Sequence, residues 1–161
     1  MFRFQYSIVT RAQRGPAWEI FTDFTKWNSF AKIYGKISWR EGLPWHPSSR
    51  MELEILQPIH AVIDHIITSC APARRVGWID TTMGAVLAQW VMFEDDSSGG
   101  TRVHTWGDLL HSAGNLAGNS PEELITRFTR VWYENYRTYC DLIAAGAETA
   151  NFSPLAFPEN A

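Results

Sequence analysis

The chain has 161 residues, of which 45% are hydrophobic, and its formal net charge at pH 7 is −3. This length suits one domain of ordinary size, and so large an apolar share excludes intrinsic disorder. Because the sequence lacks a basic patch that would neutralise phosphates, we expect no nucleic-acid partner.

One strand and two short helices are predicted at the N-terminus. In residues 2–10, aromatic and aliphatic side chains alternate with polar ones, which is the period of a half-buried strand. Pro16 suits the first turn of a helix, and the apolar residues that follow recur at helical spacing. Thr25 is a suitable N-cap for a second short helix over residues 26–32.

Five or six further strands are expected, because short apolar runs alternate with turns rich in Gly, Pro, Asp and Ser. The predicted strands are residues 33–41, 50–56, 61–70, 75–81, 85–94 and 101–110. Since short turns join them, they predict an antiparallel meander. Their polar and apolar alternation predicts that one face of the sheet is buried and the other wet.

The last predicted element is a long helix. Ser120 is a suitable N-cap, and Pro121 fits the first helical position. The helix is expected to run to about Ala145, where Gly146 would stop it. Its broad apolar stripe predicts that other parts of the chain cover much of its surface. The segment after it, residues 147–161, could dock on the body or on a second copy, or remain a loosely held end.

The order of these elements predicts an α+β helix-grip fold. In this fold a curved antiparallel sheet of about seven strands wraps around a long C-terminal helix, with two short helices after the first strand. One helix need not fill the space under so large a sheet, so we expect an internal cavity. We assign residues 1–146 to a single domain and residues 147–161 to a C-terminal tail.

Three segments carry a resemblance to a known superfamily. Residues 61–78, AVIDHIITSCAPARRVGW, contain a strand, a proline turn and a strand that ends in tryptophan. Phe93-Glu94 followed by GGTRV at residues 99–103 fits a hairpin, and Gly42-Leu43-Pro44 fits a gate loop. In order and spacing these segments resemble the START-like superfamily, also called SRPBCC, which includes polyketide cyclases, plant hormone receptors and lipid-transfer domains. The resemblance implies the helix-grip fold but no single function, because this fold hosts many.

The resemblance also implies where a ligand would lie. The mouth of the cavity would be bounded by residues 42–48, residues 80–85 and the start of the long helix, with Leu43, Pro44, Trp45 and Met83 as gate residues. The expected wall residues are Tyr6, Ile37, Trp39, Met51, Leu53, Ile55, Gln89, Val91, Phe93, Phe128, Trp132, Asn135 and Tyr139. Polar members of this set could orient a ligand or could be satisfied by one another. For strands 61–70 and 101–110 the inward face stays open, since a slip of one residue reverses it.

Catalysis in the cavity would need a histidine or a carboxylate inside it. His104 and Asp108 share a face of the last strand, and they would be candidates if that face pointed inward. His65 and its neighbour Asp64 point to opposite faces of a strand, so only one of them can enter the cavity. No zinc-ligand spacing, GxSxG elbow or nucleotide-binding glycine motif is present, so we expect neither a metal nor a cofactor.

The compartment is expected to be the cytoplasm. Residues 1–10 do not have the basic start and apolar run of a secretory signal, and no apolar stretch approaches the ~20 residues that span a bilayer. The two cysteines, Cys70 and Cys140, lie in no CxxC motif and cannot form a disulfide framework.

Two functions remain open for such a cavity. The first is the binding of a hydrophobic or aromatic small molecule: a lipid, a polyketide-like compound or a related metabolite. The alternative is a cyclase or aromatase-like enzyme of secondary metabolism, which would use substrate positioning and acid–base catalysis in the same cavity. The eight tryptophans favour a flat or polyene ligand in either case. A third and less favoured interpretation is a co-chaperone-like interaction module. The protein is expected to be a monomer or a homodimer.

Overall fold

This computed structural model describes residues 1–150 and 152–157. In these residues it has seven strands and three α-helices, joined by turns and loops. The strands are β1 (Phe2–Thr10), β2 (Tyr34–Glu41), β3 (Arg50–Ile55), β4 (Ala61–Ala71), β5 (Arg75–Thr82), β6 (Ala85–Asp95) and β7 (Thr101–His111). The helices are α1 (Arg14–Thr22), α2 (Trp27–Phe30) and α3 (Pro121–Ala144). Positions 151 and 158–161 of the predicted tail lie outside the described residues. The predicted order of elements and the helix-grip fold are confirmed.

Local signals set the helix starts, with one correction. The Ser120 hydroxyl accepts a hydrogen bond from the Glu123 amide, 3.5 Å away, and α3 begins at Pro121 as predicted. Before α2, however, Thr25 is not an N-cap: it lies inside a 3-10 turn, and the residue that caps this turn is Asp23. Its carboxylate accepts from both the amide and the hydroxyl of Thr25. A short 3-10 turn, Phe24–Lys26, therefore precedes α2 and shortens it.

The sheet is one antiparallel layer with the strand order β1-β7-β6-β5-β4-β3-β2. Strands β2 to β7 form a meander, and β1 pairs with β7 as an edge strand of the sheet. In β7 the inward residues include Val103 and Thr105, both fully buried, so His104 points outward. For residues 101–110 the structure therefore decides which face of the strand points inward, which the sequence left open.

A β-bulge determines which side chains of β4 point inward. At the turn end of the hairpin Cys70 lies opposite Val76, but beyond the bulge between Ile67 and Ser69 the pairing shifts by one residue. His65 consequently lies opposite Asp80. A bulge reverses the parity of one strand relative to its partner, so the odd-numbered residues of β4 face the helix on the far side of it.

Helix α3 packs against β1, α1 and α2. The Tyr136 hydroxyl donates to the Ala17 carbonyl oxygen in α1. Near the end of the helix, the Asp141 carboxylate accepts from the Thr10 hydroxyl at 2.6 Å and from the Arg11 amide at 2.7 Å. Within residues 1–150 and 152–157, no helix has the length and apolar character that crossing a bilayer requires.

The segment after α3 folds back onto the body. The Asn135 side chain donates to the Leu155 carbonyl oxygen at 3.0 Å and accepts from the Leu155 amide at 2.8 Å. Phe157 is buried, and its ring centroid lies 5.3 Å from that of Phe128. Of the alternatives considered for this segment, the structure shows docking on the same chain over residues 152–157.

Candidate ligand-binding cavity

Two neighbouring chambers lie between the sheet and the first half of α3. Their volumes are about 130 Å³ and about 90 Å³. The residues that line both are Ile63, Asp80, Gln89, Phe128 and Thr129. An apolar cavity of about 150 Å³ can take up benzene, so the two chambers together have room for a small ring system.

The larger space, here called the apolar chamber, is lined mainly by aliphatic side chains. Its remaining wall residues are Ile55, Pro58, Ile59, Ala61, Thr82, Ala85, Leu87, Leu109, Leu116, Leu124 and Ile125. They come from strands β3 to β7, from the β3–β4 and β7–α3 loops and from the start of α3. A surface of this kind binds apolar groups without regard to their orientation, because the hydrophobic effect is non-directional.

The smaller space, here called the aromatic chamber, is lined mainly by rings. Its remaining wall residues are Phe21, Trp27, Tyr34, Trp45, Leu53, His65, Trp78, Trp132 and Tyr133. Many of these rings meet edge to face, as do Phe21 and Trp132, whose centroids are 5.6 Å apart. Walls of rigid flat rings favour a flat ligand.

A histidine–aspartate pair lies in the aromatic chamber. The His65 Nδ1 is 2.7 Å from Asp80 Oδ1 across the β4–β5 pairing. The other carboxylate oxygen of Asp80 accepts from Trp78 Nε1 at 3.0 Å and from Gln89 Nε2 at 2.7 Å. Three N–H donors thus converge on one carboxylate, which holds it in place and orients the imidazole.

The second nitrogen of the same imidazole has no partner in the protein. His65 is only 5% exposed, and its Nε2 is the one buried side-chain nitrogen or oxygen without a hydrogen bond among the described residues. The ring stacks on Trp78 with a centroid distance of 5.1 Å and meets the edge of Trp45 at 6.2 Å. Leaving a buried polar atom unpaired costs about 1–3 kcal/mol, so this nitrogen is a preferred contact point for a polar group of a bound molecule.

Two tyrosines, Tyr34 and Tyr133, line the same chamber. The Tyr34 hydroxyl accepts a hydrogen bond from Trp132 Nε1 at 2.8 Å, which leaves its own proton for another acceptor. Burial raises the pKa of Tyr34 and of Tyr133 well above the ordinary value, and the nearby charge of Asp80 raises both further. Both phenols therefore stay neutral and able to donate at physiological pH.

Some residues predicted for the wall lie at the chambers and others lie in the packed core. Leu53 and Trp132 line the aromatic chamber, Ile55 lines the apolar chamber, and Gln89 and Phe128 line both. Six further predicted residues line neither chamber and belong to the core or pack against it: Ile37, Trp39, Met51, Val91, Phe93 and Tyr139.

Two of the predicted polar wall residues are used by the protein itself. Asn135 holds the backbone of Leu155, as described above. The Tyr6 hydroxyl donates to the Glu134 carboxylate at 2.6 Å. Partial burial, helped by this bond, raises the pKa of Tyr6 to about 12. Neither side chain lines one of the chambers. Both therefore fit the alternative in which polar residues form their hydrogen bonds within the protein.

The candidates His104 and Asp108 lie on the opposite face of the sheet from the cavity. His104 bonds to the Ser7 hydroxyl and stacks on Trp106 with a centroid distance of 5.6 Å. Asp108 pairs with Arg3 at 2.6 Å, and this hydrogen bond lowers the pKa of the carboxyl. Because the pleat of β7 turns its odd-numbered residues inward, neither side chain can meet a molecule in the chambers.

Among the predicted gate residues, Trp45 lines a chamber. Its indole N–H donates to the Thr22 carbonyl oxygen at 2.7 Å, which fixes the ring over the aromatic chamber. Leu43 and Met83 are exposed at loop tips, and Pro44 borders a separate surface depression. Loop residues that the sequence analysis missed, Pro58 and Ile59, line the apolar chamber instead.

The most important residue that sequence reasoning missed is Asp80. It shares parity with the buried residues Val76 and Trp78, so it is a carboxylate on the inward face of β5. The alternation of Val76, Trp78 and Asp80 is visible in the sequence and could have predicted that the carboxylate of Asp80 faces inward. No cluster of three or more metal-binding side chains occurs within the part of the chain that the structure describes.

The fold is shared with several solved structures of low sequence identity. The protein Ara h 8.0201 superposes with a TM-score of 0.67 at 10% identity, over 86% of this chain and 97% of that one. The protein CV1439 of Chromobacterium violaceum superposes with a TM-score of 0.65 at 10% identity, over 86% and 97%. The hypothetical protein jhp0584 of Helicobacter pylori superposes with a TM-score of 0.66 at 11% identity, over 86% and 88%.

No protein-family model and no curated protein matches the chain. The structural likenesses show that this chain has the helix-grip fold, which is consistent with the START-like superfamily that its sequence motifs resemble.

Proposed function

We propose that this protein binds a hydrophobic or aromatic small molecule, such as a lipid, a polyketide-like compound or a related metabolite, in the two chambers. The observation that carries the proposal is the pair of adjoining spaces under α3, one walled by aliphatic groups and the other by rings. An apolar pocket with a few convergent polar groups is the usual form of a small-molecule site. A cytoplasmic location, a monomeric or homodimeric state and the lack of a nucleic-acid partner remain predictions from the sequence.

The physical basis of binding is the burial of apolar surface. Each Å² of apolar ligand surface taken out of water contributes roughly 25 cal/mol. The walls are already packed against the core, so little side-chain entropy is lost when a rigid ring enters. A flat ring in the aromatic chamber with an aliphatic extension in the apolar chamber would use both walls.

Native mass spectrometry of the purified protein tests the proposal without a known ligand. A co-purified mass that is released on denaturation would support it and would identify the molecule. A bicyclic probe, 2-naphthol, titrated by calorimetry provides a second measurement that does not depend on co-purification.

A matched pair of variants ties such binding to the chambers. Thr129 is buried and lines both chambers, so T129W should fill the shared space and weaken 2-naphthol binding at least about tenfold. Thr126 is exposed on the same helix, so T126W is the control and should bind as the wild type does. Equal affinity in all three proteins, with melting curves showing that each is folded, would contradict a site in the chambers.

One observation favours a second function, an enzyme of the cyclase or aromatase type. The buried His65–Asp80 pair is an acid–base arrangement in the space where a substrate would be held. Incubating a co-purified molecule with fresh protein would test it. Cyclisation would change retention time at constant mass, whereas aromatisation by dehydration would remove one water.

A further inference from the structure

We infer that His65, oriented by Asp80, is a general base that takes a proton from a molecule held in the aromatic chamber. The inference rests on the proposed function, because the base can act only on a molecule that the cavity binds. It assigns the substrate class as a flat, mostly apolar compound with an acidic C–H bond beside a carbonyl group.

The hydrogen bonds determine which nitrogen is basic. A carboxylate only accepts hydrogen bonds, so the 2.7 Å contact with Asp80 requires the proton of the neutral imidazole to lie on Nδ1. The lone pair is then on Nε2, on the opposite side of the ring from Asp80. Trp78 and Gln89 donate to the second oxygen of Asp80, so the carboxylate cannot turn away.

Packing keeps the imidazole in this orientation. The stacked Trp78 ring covers one face, and the Trp45 ring meets it edge-on. The basic nitrogen is buried without a protein partner, and its side chain lines the aromatic chamber. A neutral, fixed and desolvated imidazole is well suited to general-base catalysis.

The reaction step balances without a co-reactant. The C–H bond breaks, its proton passes to Nε2, and its electron pair forms the C=C bond of an enolate while charge moves to the carbonyl oxygen. Asp80 stabilises the imidazolium that forms. Tyr34 lines the same chamber, and its hydroxyl proton, which the bond from Trp132 leaves free, can be donated to the enolate oxygen. The proton then returns from Nε2 to the enolate oxygen or to a different carbon of the conjugated system, so the net change is an isomerisation.

A probe reaction tests the base without knowledge of the natural substrate. In 5-nitrobenzisoxazole, a base removes the ring C–H proton, the N–O bond breaks, and the coloured 2-cyano-4-nitrophenolate forms. The probe is a flat bicyclic compound and needs only a base in an apolar site. Its turnover by wild-type protein should exceed that by H65Q at least about 100-fold. H104Q, which changes the histidine on the outer face, is the matched control and should retain the wild-type rate.

The pH profile separates a base from a merely structural residue. The titratable groups that line the chamber with His65 are Asp80 from β5, Tyr34 at the start of β2 and Tyr133 from α3. The tyrosines stay protonated, so the wild-type rate should rise with deprotonation of one imidazole and then level off. In D80N the imidazolium that forms loses its anionic partner, 2.7 Å away in the wild type, so the rate should fall across the whole profile. This profile is measured on proteins that retain His65, so it holds even if H65Q does not fold.

Binding of an unreactive analogue distinguishes the failure of the inference from the failure of the proposed function. The analogue 5-nitrobenzotriazole presents an N–H where the probe has its acidic C–H. If it binds to wild type and to H65Q but both turn over the probe equally, His65 is not a base and the cavity stands. If it binds to neither protein, the cavity proposal fails and the inference fails with it.

Discussion

The hydrogen bonds between Asn135 and Leu155 make a quantitative prediction about the C-terminal segment. N135A removes both the donor and the acceptor of this contact, whose lengths are 3.0 and 2.8 Å. Each bond contributes about 0.5–1.5 kcal/mol net, so the substitution should lower the free energy of unfolding by about 1–3 kcal/mol. Truncation after residue 150 should cost more, because it also removes the buried Phe157, whose burial contributes about 1.5–3 kcal/mol.

The assay is urea unfolding followed by tryptophan fluorescence, applied to a double-mutant cycle. The four proteins are the full chain, N135A, the chain truncated after residue 150, and the truncated chain carrying N135A. If Asn135 acts through the docked segment, its substitution should cost clearly less in the truncated chain than in the full one. Equal costs in both backgrounds would refute the assignment and would mean that Asn135 stabilises α3 by some other contact.

Further outcomes follow from the core and from buried titratable groups. Phe30 is fully buried and its ring lies 5.2 Å from that of Trp132, so F30A should cost about 3–5 kcal/mol in the same urea assay, and a loss below 1 kcal/mol would contradict its place in the core. Burial raises the pKa of Cys140 to about 12, so this thiol should react with a disulfide reagent at pH 8 only after unfolding, as followed by absorbance. The pKa of Tyr6 is raised from 10.0 to about 12, so its contribution to stability is complete below pH 10 and is lost as the pH rises to 12. Y6F should therefore show a smaller loss of stability over that interval, and an identical loss in both proteins would contradict the shift.

The element order of this fold could be predicted because the signals for it are local. Ser120 and Pro121 mark the start of α3 within one turn of the chain. In β3, the buried residues Met51, Leu53 and Ile55 alternate with less buried polar ones, which identifies both the strand and its inward face. Where one face of a strand is plainly polar, the sequence contains the orientation as well as the element.

Orientation could not be predicted for β4, because apolar residues occupy both of its faces. Val62 and Ile66 are exposed, while Ile67 and Ala61 are buried. Hydrophobicity therefore does not distinguish the faces, and the position of the bulge after Ile67 decides the matter. For a related reason, the sequence could not show which predicted wall residues line a chamber. Whether a ring faces a space or another ring depends on neighbours that are far away in the chain.

The sequence by itself determined the strands, the long helix and the apolar character of what lies between them, because spacing, caps and turns act over a few residues. Only the tertiary structure decided where space remains under α3 and that His65 meets Asp80. That meeting depends on a one-residue shift in the pairing of β4 with β5, and the chambers depend on how α3 crosses strands distant in sequence. Both are properties of long-range pairing and packing, for which no single segment of the chain carries a signal.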